Sequence, residues 1–212
     1  MKNKLPGILI TFEGNEGCGK STQIRLLYHF LKKNKRVFIT REPGGTRAGN
    51  AIRNILLDNR NKSLTPVTET LLYMASRAQL LEEVILPRLK RGQIVLCDRW
   101  SDATVAYQGF GGNVDARWIR DLSEKATQGV RPALSLFLDL PLEIGLRRAV
   151  SHKKADRMER KALLFHRRVR RGYEWIVRRE PRRFRRIEIA EKDSIGVVHN
   201  EIKKEVLRVL RS

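Results

Sequence analysis

The run Gly14-Asn15-Glu16-Gly17-Cys18-Gly19-Lys20-Ser21 decides how this chain folds. It has the form G-x-x-x-x-G-K-S, it follows the apolar stretch 8–12, and it opens the helix-like stretch 22–27. Glycines allow successive backbone N–H groups to turn toward phosphate oxygens, and a helix amino terminus adds partial positive charge. In such a loop the lysine, here Lys20, contacts the β- and γ-phosphates, and the hydroxyl, here of Ser21, reaches Mg²⁺. The run therefore predicts a nucleoside triphosphate site, whereas a glycine-rich turn without a ligand is the alternative.

Length and composition predict one ordinary α/β domain that spans residues 1–212. No stretch of about 18 uninterrupted apolar residues occurs, and the first residues leave no room for a signal peptide. Two cysteines, Cys18 and Cys97, do not indicate a disulfide framework, so we expect a reducing, cytoplasmic setting without a membrane partner. Cys18 is either a small residue that the loop tolerates or a redox-sensitive thiol.

The net charge of +21 is concentrated in one part of the chain. Residues 145–186 contain seventeen Lys and Arg against four acids, a net charge of +13. Such a segment is a nucleic-acid surface, a lid over polyphosphate, or a solvated helix face. We favour the lid for residues 147–157, and we expect no sequence-specific nucleic-acid partner.

Apolar, β-branched runs alternate with longer helical patterns along the chain. The candidate strands are 7–13, 36–40, 93–97, 134–138 and 184–189. The candidate helices are 19–33, 46–57, 66–90, 114–127, 141–152, 158–179 and 194–211. This alternation predicts a three-layer α/β/α fold, with a five-stranded parallel sheet covered by helices on both faces. Ligands of such sheets bind at the carboxyl ends of the strands.

Polar residues follow two of the predicted strands. Arg41 stands before Glu42, Pro43 and two glycines, which is typical of an anion clamp on a stiff turn or of a turn that leads into a helix cap. Asp98-Arg99 ends the third strand, where P-loop enzymes often place an Asp near Mg²⁺. The arginine suits a bidentate grip on a second phosphorylated molecule, although a structural Asp–Arg pair is the alternative.

Aromatic and amide residues are the candidates for a nucleobase pocket. Tyr73 and Arg77 lie four residues apart and share one helical face, and the stretch 100–112 mixes aromatics, amides and glycines. The same residues also suit a packed surface pair and an ordinary helix followed by a loop. The spacing alone leaves both interpretations open.

Five motifs occur in order at suitable separations: F-E-G-x-E-G-x-G-K-S-T, T-R-E-P-G-G-T, A-S-R-A-Q, D-R-x-x-x-x-x-x-A-Y-Q-G and D-R-x-E. Together they closely resemble the thymidylate kinase family, whose members convert dTMP to dTDP with ATP and Mg²⁺. The resemblance covers about residues 7–175. The second and fourth motifs are specific to this family, whereas the phosphate loop is not. The resemblance implies a P-loop kinase fold with a short basic lid, and a homodimer formed through the helices near 46–57 and 66–90.

The resemblance also implies roles for individual residues. The ATP-binding residues would be Gly14, Asn15, Glu16, Gly17, Cys18, Gly19, Lys20, Ser21 and Thr22. The dTMP-binding residues would be Glu13, Arg41, Pro43, Tyr73, Arg77, Arg99, Thr104, Tyr107, Gln108 and Tyr173. Ser21 and Asp98 would hold Mg²⁺, with Glu13 near the metal and the acceptor. Lys20, Arg99 and lid cations would stabilise the phosphoryl group during in-line transfer.

Each acceptor contact has an implied purpose. Arg41 and Arg99 would orient the dTMP phosphate. Tyr73, where the family usually has Phe, would stack on thymine, and Arg77 would donate hydrogen bonds to the base. Thr104 and Gln108 would line the edge of the base. Tyr107 would pack on the deoxyribose and disfavour a 2′-hydroxyl, Tyr173 would close over the nucleoside, and a cis peptide bond would precede Pro43.

In one branch of the family the phosphate loop itself carries an Arg, whereas no Arg lies between Gly14 and Lys20 here. The resemblance therefore implies the branch in which the lid supplies the catalytic cation. His152 stands where the resemblance implies a lid Arg. We therefore expect Arg148 and Arg157 to serve as catalytic cations, with Lys153 as the second choice.

Three other interpretations remain open. In the first, the chain is a kinase for another nucleotide or nucleoside. In the second, it is a P-loop ATPase that binds nucleic acid. In the third, it is a nucleotide-binding regulator without activity. The lack of an Asp-Glu pair after the third strand disfavours the ATPase, and the set of Lys20, Ser21, Asp98 and Arg99 disfavours the regulator.

Overall fold

The computed structural model describes residues 5–151 and 155–211. Five parallel strands form one sheet: β1 Ile8–Glu13, β2 Val37–Arg41, β3 Ile94–Asp98, β4 Leu134–Asp139 and β5 Phe184–Glu188. Their order is β2-β3-β1-β4-β5, so β1 lies in the middle between β3 and β4. All five predicted strands are present, and the predicted α/β fold class is confirmed.

Helices connect the strands and cover the sheet. They are α1 Lys20–Leu31, α2 Arg47–Leu57, α3 Pro66–Leu80, α4 Leu86–Lys90, α5 Ser101–Thr104, α6 Ala116–Ala126, α7 Leu142–Ser151, α8 Leu163–Arg179 and α9 Ile195–Arg211. Two π-helical segments, Leu81–Ile85 and Val105–Gly111, continue α3 and α5. The predicted helix 66–90 is thus α3, a π-helical segment and α4 in succession.

Two helical predictions differ from the structure. The prediction began a helix at residue 158, but α8 begins at Leu163, because the Asp156 carboxylate accepts the backbone N–H groups of Met158 and Glu159 and holds a turn there. The stretch 101–111 is helical, although it was not among the predicted helices.

Buried apolar side chains cover both faces of the sheet. On one face, Ile10 of β1 packs in a cluster with Leu27 of α1 and Ile202 of α9. On the other face, Leu9 belongs to a cluster with Leu80, while α8 packs on the π-helical segment after α5. Successive β1 residues therefore point into different cores, as expected for a strand buried on both sides.

Both cysteines are free thiols in buried positions. Across residues 5–151 and 155–211, we find no helix with the length and apolarity needed to cross a bilayer.

Candidate functional site

The phosphate loop joins the central strand β1 to α1. Gly17 has a φ of 68°, and a Cβ atom there would lie 1.9 Å from the carbonyl oxygen of Gly145, so only glycine fits. No side chain caps the amino terminus of α1 at Gly19, which leaves this end of the helix for an anion. The Lys20 ammonium donates to the loop carbonyl oxygens of Gly14 (3.2 Å) and Asn15 (2.9 Å).

A cavity of about 740 Å³ opens beside the phosphate loop and the carboxyl ends of β2 and β3. Its volume is typical of small-molecule sites. Most of the predicted site residues line it: Glu16, Gly17, Cys18, Gly19, Lys20, Ser21, Thr22, Arg41, Pro43, Tyr73, Arg77, Asp98, Arg99, Thr104, Tyr107, Gln108 and Arg148. The remaining predicted residues of the described chain lie outside the lining: Glu13, Gly14, Asn15, Arg157 and Tyr173. His152 and Lys153 lie outside the described residues.

Arg99 lies at the centre of the cavity in a network of short contacts. Its Nη2 atom donates to Glu16 Oε1 at 2.5 Å and to the Tyr107 hydroxyl at 2.9 Å, and Nη1 donates to the Tyr173 hydroxyl at 3.2 Å. The backbone of Arg99 has a φ of 71°, which few residues other than glycine adopt. Burial opposes ionisation of Glu16, but Arg99 and then Lys20 outweigh it and lower the pKa of the carboxyl to about 2.

Glu13 and Tyr173 lie behind Arg99 and are fully buried. Glu13 Oε1 accepts the backbone N–H of Trp100 at 2.9 Å, and Oε2 accepts the Tyr173 hydroxyl at 3.1 Å. Burial, with Asp102 nearby, raises the pKa of the Glu13 carboxyl well above its usual value. Neither residue lines the cavity: Glu13 supports the backbone after Arg99, and the Tyr173 hydroxyl is engaged by Glu13 and Arg99.

The far end of the cavity is lined by Tyr73, Arg77, Thr104 and Gln108. The Arg77 guanidinium is fully buried, forms an ion pair with Glu42, and donates to the Thr104 hydroxyl at 2.7 Å. Arg77 therefore reaches this end of the cavity with its donors largely engaged. Tyr73 is half-buried and lines the cavity.

Two residues at this end were not predicted as site residues. Arg53 of α2 lines the cavity and donates to the Pro43 carbonyl oxygen at 3.0 Å. Burial and the nearby Arg41 lower the pKa of Arg53. Glu69 of α3 accepts from Gln108 at 3.0 Å. No motif marks either residue, although Arg53 follows the Pro-Gly-Gly turn within two helical turns. The peptide bond between Glu42 and Pro43 is cis, as the resemblance implied.

The two favoured lid cations differ in position. Arg148, near the end of α7, lines the cavity. Arg157 points elsewhere: its Nη1 atom donates to Glu69 Oε1 at 2.6 Å, its Nε atom donates to the Leu56 carbonyl oxygen at 2.7 Å, and 6% of its side chain is exposed. Arg148 therefore lines the cavity, whereas the Arg157 guanidinium is held by Glu69 and the Leu56 carbonyl oxygen and does not line it.

Ser21 and Asp98 have the chemistry of a magnesium site. The Ser21 hydroxyl donates to Asp98 Oδ2 at 3.3 Å, while Oδ1 is buried and has no hydrogen-bond partner among the described residues. No group of three His, Cys, Asp or Glu side chains suited to a metal occurs in residues 5–151 and 155–211. This donor set fits Mg²⁺, which proteins often hold through one or two side chains together with substrate phosphates.

The fold and the cavity define a P-loop nucleotide-binding protein, in which one cavity presents the phosphate loop together with Arg41, Arg53 and Arg99. The family model described as "Thymidylate kinase" matches residues 12–202. The chain therefore belongs to the thymidylate kinase family, and it is a kinase, a nucleotide-binding transferase.

Individual relatives support this assignment. A thymidylate kinase of Citrifermentans bemidjiense is 50% identical over 185 residues, which cover 84% of this chain and 82% of that protein. A thymidylate kinase of Kosmotoga olearia is 43% identical over 205 residues, which cover 96% and 97%. The crystal structure of thymidylate kinase from Ehrlichia chaffeensis matches with a TM-score of 0.77 at 31% identity, and covers 95% of this chain and 98% of that one.

Proposed function

We propose that this protein transfers the γ-phosphoryl group of ATP to dTMP and releases dTDP and ADP. One observation carries the proposal: a single cavity joins the phosphate loop, with Lys20, to the Arg99 cluster and the pocket of Tyr73 and Thr104. A donor triphosphate and an acceptor monophosphate bound at the two ends would meet in line near Arg99. Family membership supports ATP and dTMP as the substrates.

The acceptor end of the cavity supports thymidine recognition. Arg41, Arg53 and Arg99 would bind the monophosphate, because guanidinium groups match phosphate oxygens in bidentate contacts. Tyr73 would stack on the base. Arg77, with its donors engaged by Glu42 and Thr104, would act on the base mainly by orienting the Thr104 hydroxyl.

The sugar would lie against Tyr107, whose hydroxyl donates to Glu16 at 3.1 Å. That hydrogen bond holds the ring across the cavity, where it would leave little room for a 2′-hydroxyl. The same geometry favours a deoxynucleotide over a ribonucleotide.

Phosphoryl transfer requires alignment and neutralisation of charge more than covalent help from the protein. Ser21 and Asp98 would hold Mg²⁺, which supplies positive charge to the phosphates when bound. Lys20 and Arg99 would flank the transferring group. Asp98 would keep the Ser21 hydroxyl oriented, since the two already share a hydrogen bond.

We further propose that residues 1–212 form one domain and that the segment at about 147–157 acts as its lid. Arg148 would supply the lid cation, because it lines the cavity. Arg157 would need to break its buried pair with Glu69 to reach phosphate. Its position therefore favours a role as an anchor of the lid.

A coupled ADP-release assay with ATP, Mg²⁺ and a panel of dTMP, dUMP, dGMP, dCMP and AMP tests the substrate. We expect dTMP to have the highest kcat/KM. A different best acceptor would reject the proposal, as would ATP hydrolysis that DNA stimulates without formation of dTDP.

The same assay tests the lid. We expect Arg148→Ala to lower kcat by about 10³-fold with little change in the KM for dTMP, as for other arginines that act on a transferring phosphoryl group. Arg147→Ala is the matched control, because Arg147 is exposed and pairs with Glu191 at 3.3 Å. A wild-type kcat in Arg148→Ala would remove this residue from the mechanism.

A homodimer and a cytoplasmic location also remain proposals. Three large apolar side chains on α2 and α3 are exposed: Ile55 (44%), Val67 (48%) and Leu71 (49%). Exposed apolar groups that lie close together are typical of a protein interface. Sedimentation velocity of the wild type and of Leu71→Asp tests the dimer. We expect the wild type to sediment as a dimer and the variant to dissociate more readily. A monomeric wild type would contradict the proposal.

A further inference from the structure

Exposed arginines and one tryptophan recur every three or four residues along one face of α8. Arg168, Arg171 and Arg178 lie on this face, with Trp175 between them and Arg179 beside it. We call these five residues the arginine stripe. One turn of helix is about 5.4 Å long, so the stripe presents about one guanidinium group per turn over about 16 Å.

The arginine stripe is unneutralised, unlike the neighbouring face of the same helix. Arg168, Arg171 and Arg178 form no ion pair or hydrogen bond with the described side chains. In contrast, Arg167 pairs with Glu143 at 3.6 Å and Arg170 pairs with Asp139 at 2.9 Å. Ion pairing therefore neutralises one face of α8 and leaves the stripe as concentrated positive charge.

Core packing does not explain the stripe. The apolar face of α8, which includes Val169, Tyr173 and Ile176, is buried against the sheet and the π-helical segment after α5. None of the stripe residues lines the substrate cavity. The stripe is thus separate from both the core and the proposed kinase site.

A second cleft, of about 370 Å³, lies beside the stripe between α6 and α8. Trp175 forms one wall, and the exposed Arg117 and Arg120 of α6 form another. The Arg179 guanidinium lies over the Trp175 ring at 4.6 Å. The acids of this cleft are Asp102, Asp121, Glu124 and Glu180, of which three have arginine partners.

We propose that the arginine stripe and this cleft bind single-stranded nucleic acid without sequence preference. Phosphates would contact the stripe arginines, and a base would enter the cleft against Trp175. Arginine suits this role because its planar group grips phosphate in bidentate contacts, and an aromatic ring within a basic groove is the usual platform for unpaired bases.

An anionic membrane is a weaker partner for this surface. A helix that binds in the plane of a membrane needs an apolar face to insert. The apolar face of α8 is in the core, and its exposed large apolar side chains, Leu163 and Leu164, are confined to the first turn of the helix. The basic face that follows them therefore favours a soluble polyanion with unpaired bases.

Fluorescence anisotropy with a labelled DNA strand of about 20 nucleotides tests the proposal. We expect the full-length protein to bind at about 50 mM salt and to lose affinity steeply toward about 200 mM. The triple variant Arg168→Gln, Arg171→Gln, Arg178→Gln should bind about tenfold more weakly. The negative slope of log K against log salt should become shallower by about 2, because fewer phosphates are neutralised. Its kinase activity should stay at the wild-type level, which also reports that it folds.

The matched control is Lys33→Gln, Lys35→Gln, Lys90→Gln, which removes the same charge from exposed positions elsewhere. It should bind DNA within about twofold of the wild type. Equal losses in both triple variants would overturn the proposal, since net charge alone would then explain binding. No binding at about 50 mM salt would overturn it as well.

A second arm separates nucleic acid from other polyanions. Inorganic polyphosphate and vesicles of phosphatidylserine carry negative charge without bases, so each should compete poorly with the labelled strand. Trp175→Leu should weaken DNA binding while the competition by polyphosphate stays unchanged. Competition by polyphosphate or by the vesicles that equals the competition by the unlabelled DNA strand would reject the assignment to nucleic acid, as would unchanged DNA binding in Trp175→Leu.

Discussion

At the scale of single residues, Arg99 depends on a set of buried partners. Glu16 and Tyr107 hold its guanidinium from the cavity side, and Tyr173 holds it from beneath. Glu13 accepts the backbone N–H that follows Arg99, at a point where the backbone has a positive φ. The orientation of this arginine therefore relies in part on Glu13 and Tyr173, two side chains that do not line the cavity.

Loss of the Tyr173 hydroxyl should weaken this support. Tyr173→Phe removes the donor to Glu13 and one acceptor of Arg99, and leaves a buried carboxyl with one partner fewer. We expect the free energy of unfolding in urea to fall by about 1–3 kcal/mol and the KM for dTMP to rise. Tyr28→Phe, at a partly buried position of α1, should change neither quantity. A KM equal to that of the wild type would show that Tyr173 does not position Arg99.

Glu16 should make stability depend on pH. Its pKa of about 2 lies below the usual value of 4.5, so its stabilising effect is present above about pH 4.5 and is lost as the pH falls toward 2. Between about pH 5 and pH 3, this carboxyl should reduce the free energy of unfolding by about 2 kcal/mol. In Glu16→Gln the loss over the same interval should be smaller by that amount. Parallel pH profiles for the two proteins in urea titrations would contradict this assignment.

At the scale of elements, the strands were predictable and one helical stretch was not. Each strand is a short apolar run, which periodicity identifies well. The stretch 101–111 contains Gly109 and Gly111, which predict a loop, yet it folds as α5 and a π-helical segment. The cause is tertiary: a Cβ atom at Gly111 would lie 2.6 Å from the Phe165 ring, so the glycine permits close packing against α8.

The turn before α8 is anchored to α3 by the buried pair of Arg157 and Glu69. Glu69→Gln leaves the buried Arg157 guanidinium without its carboxylate, so it should lower the free energy of unfolding by about 3–5 kcal/mol. Arg157→Gln should cost less, because Glu69 keeps its contacts with Gln108 and Lys161. The double variant should be more stable than the sum of the two losses predicts, as a double-mutant cycle measures. The exposed pair of Arg167 and Glu143 is the control and should couple by less than about 1 kcal/mol. Additive losses for the buried pair would refute an anchor at this position.

At the scale of the whole molecule, the strand order brings distant motifs into one cavity. The sequence predicted which motifs meet, because the carboxyl ends of parallel strands share one edge. It did not predict which side of this edge each residue faces. Glu13, Arg157 and Tyr173 were predicted as site residues, but they do not line the cavity. That distinction depends on how α8 and the preceding turn pack, which no local pattern specifies.

The charge of the chain should appear in its response to salt. A net charge of +21 on 212 residues makes the folded state repel itself, and salt screens this repulsion. We expect Tm to rise between about 20 mM and about 200 mM NaCl, because the exposed ion pairs that salt weakens contribute little. Differential scanning calorimetry measures the change. A falling Tm would mean that ion pairs outweigh self-repulsion.

The contact between Glu16 and Arg99 bears on how an acceptor is captured. The Glu16 carboxylate already pairs with the Arg99 guanidinium, so a phosphate that binds this guanidinium would exchange one anion for another. The guanidinium has already lost much of its rotamer freedom, a cost of about 2 kcal/mol for a free arginine side chain, when the protein folds. Acceptor binding would therefore require little further ordering of this side chain. The free energy of acceptor binding should then come mainly from the exchange of one anion for another and from desolvation.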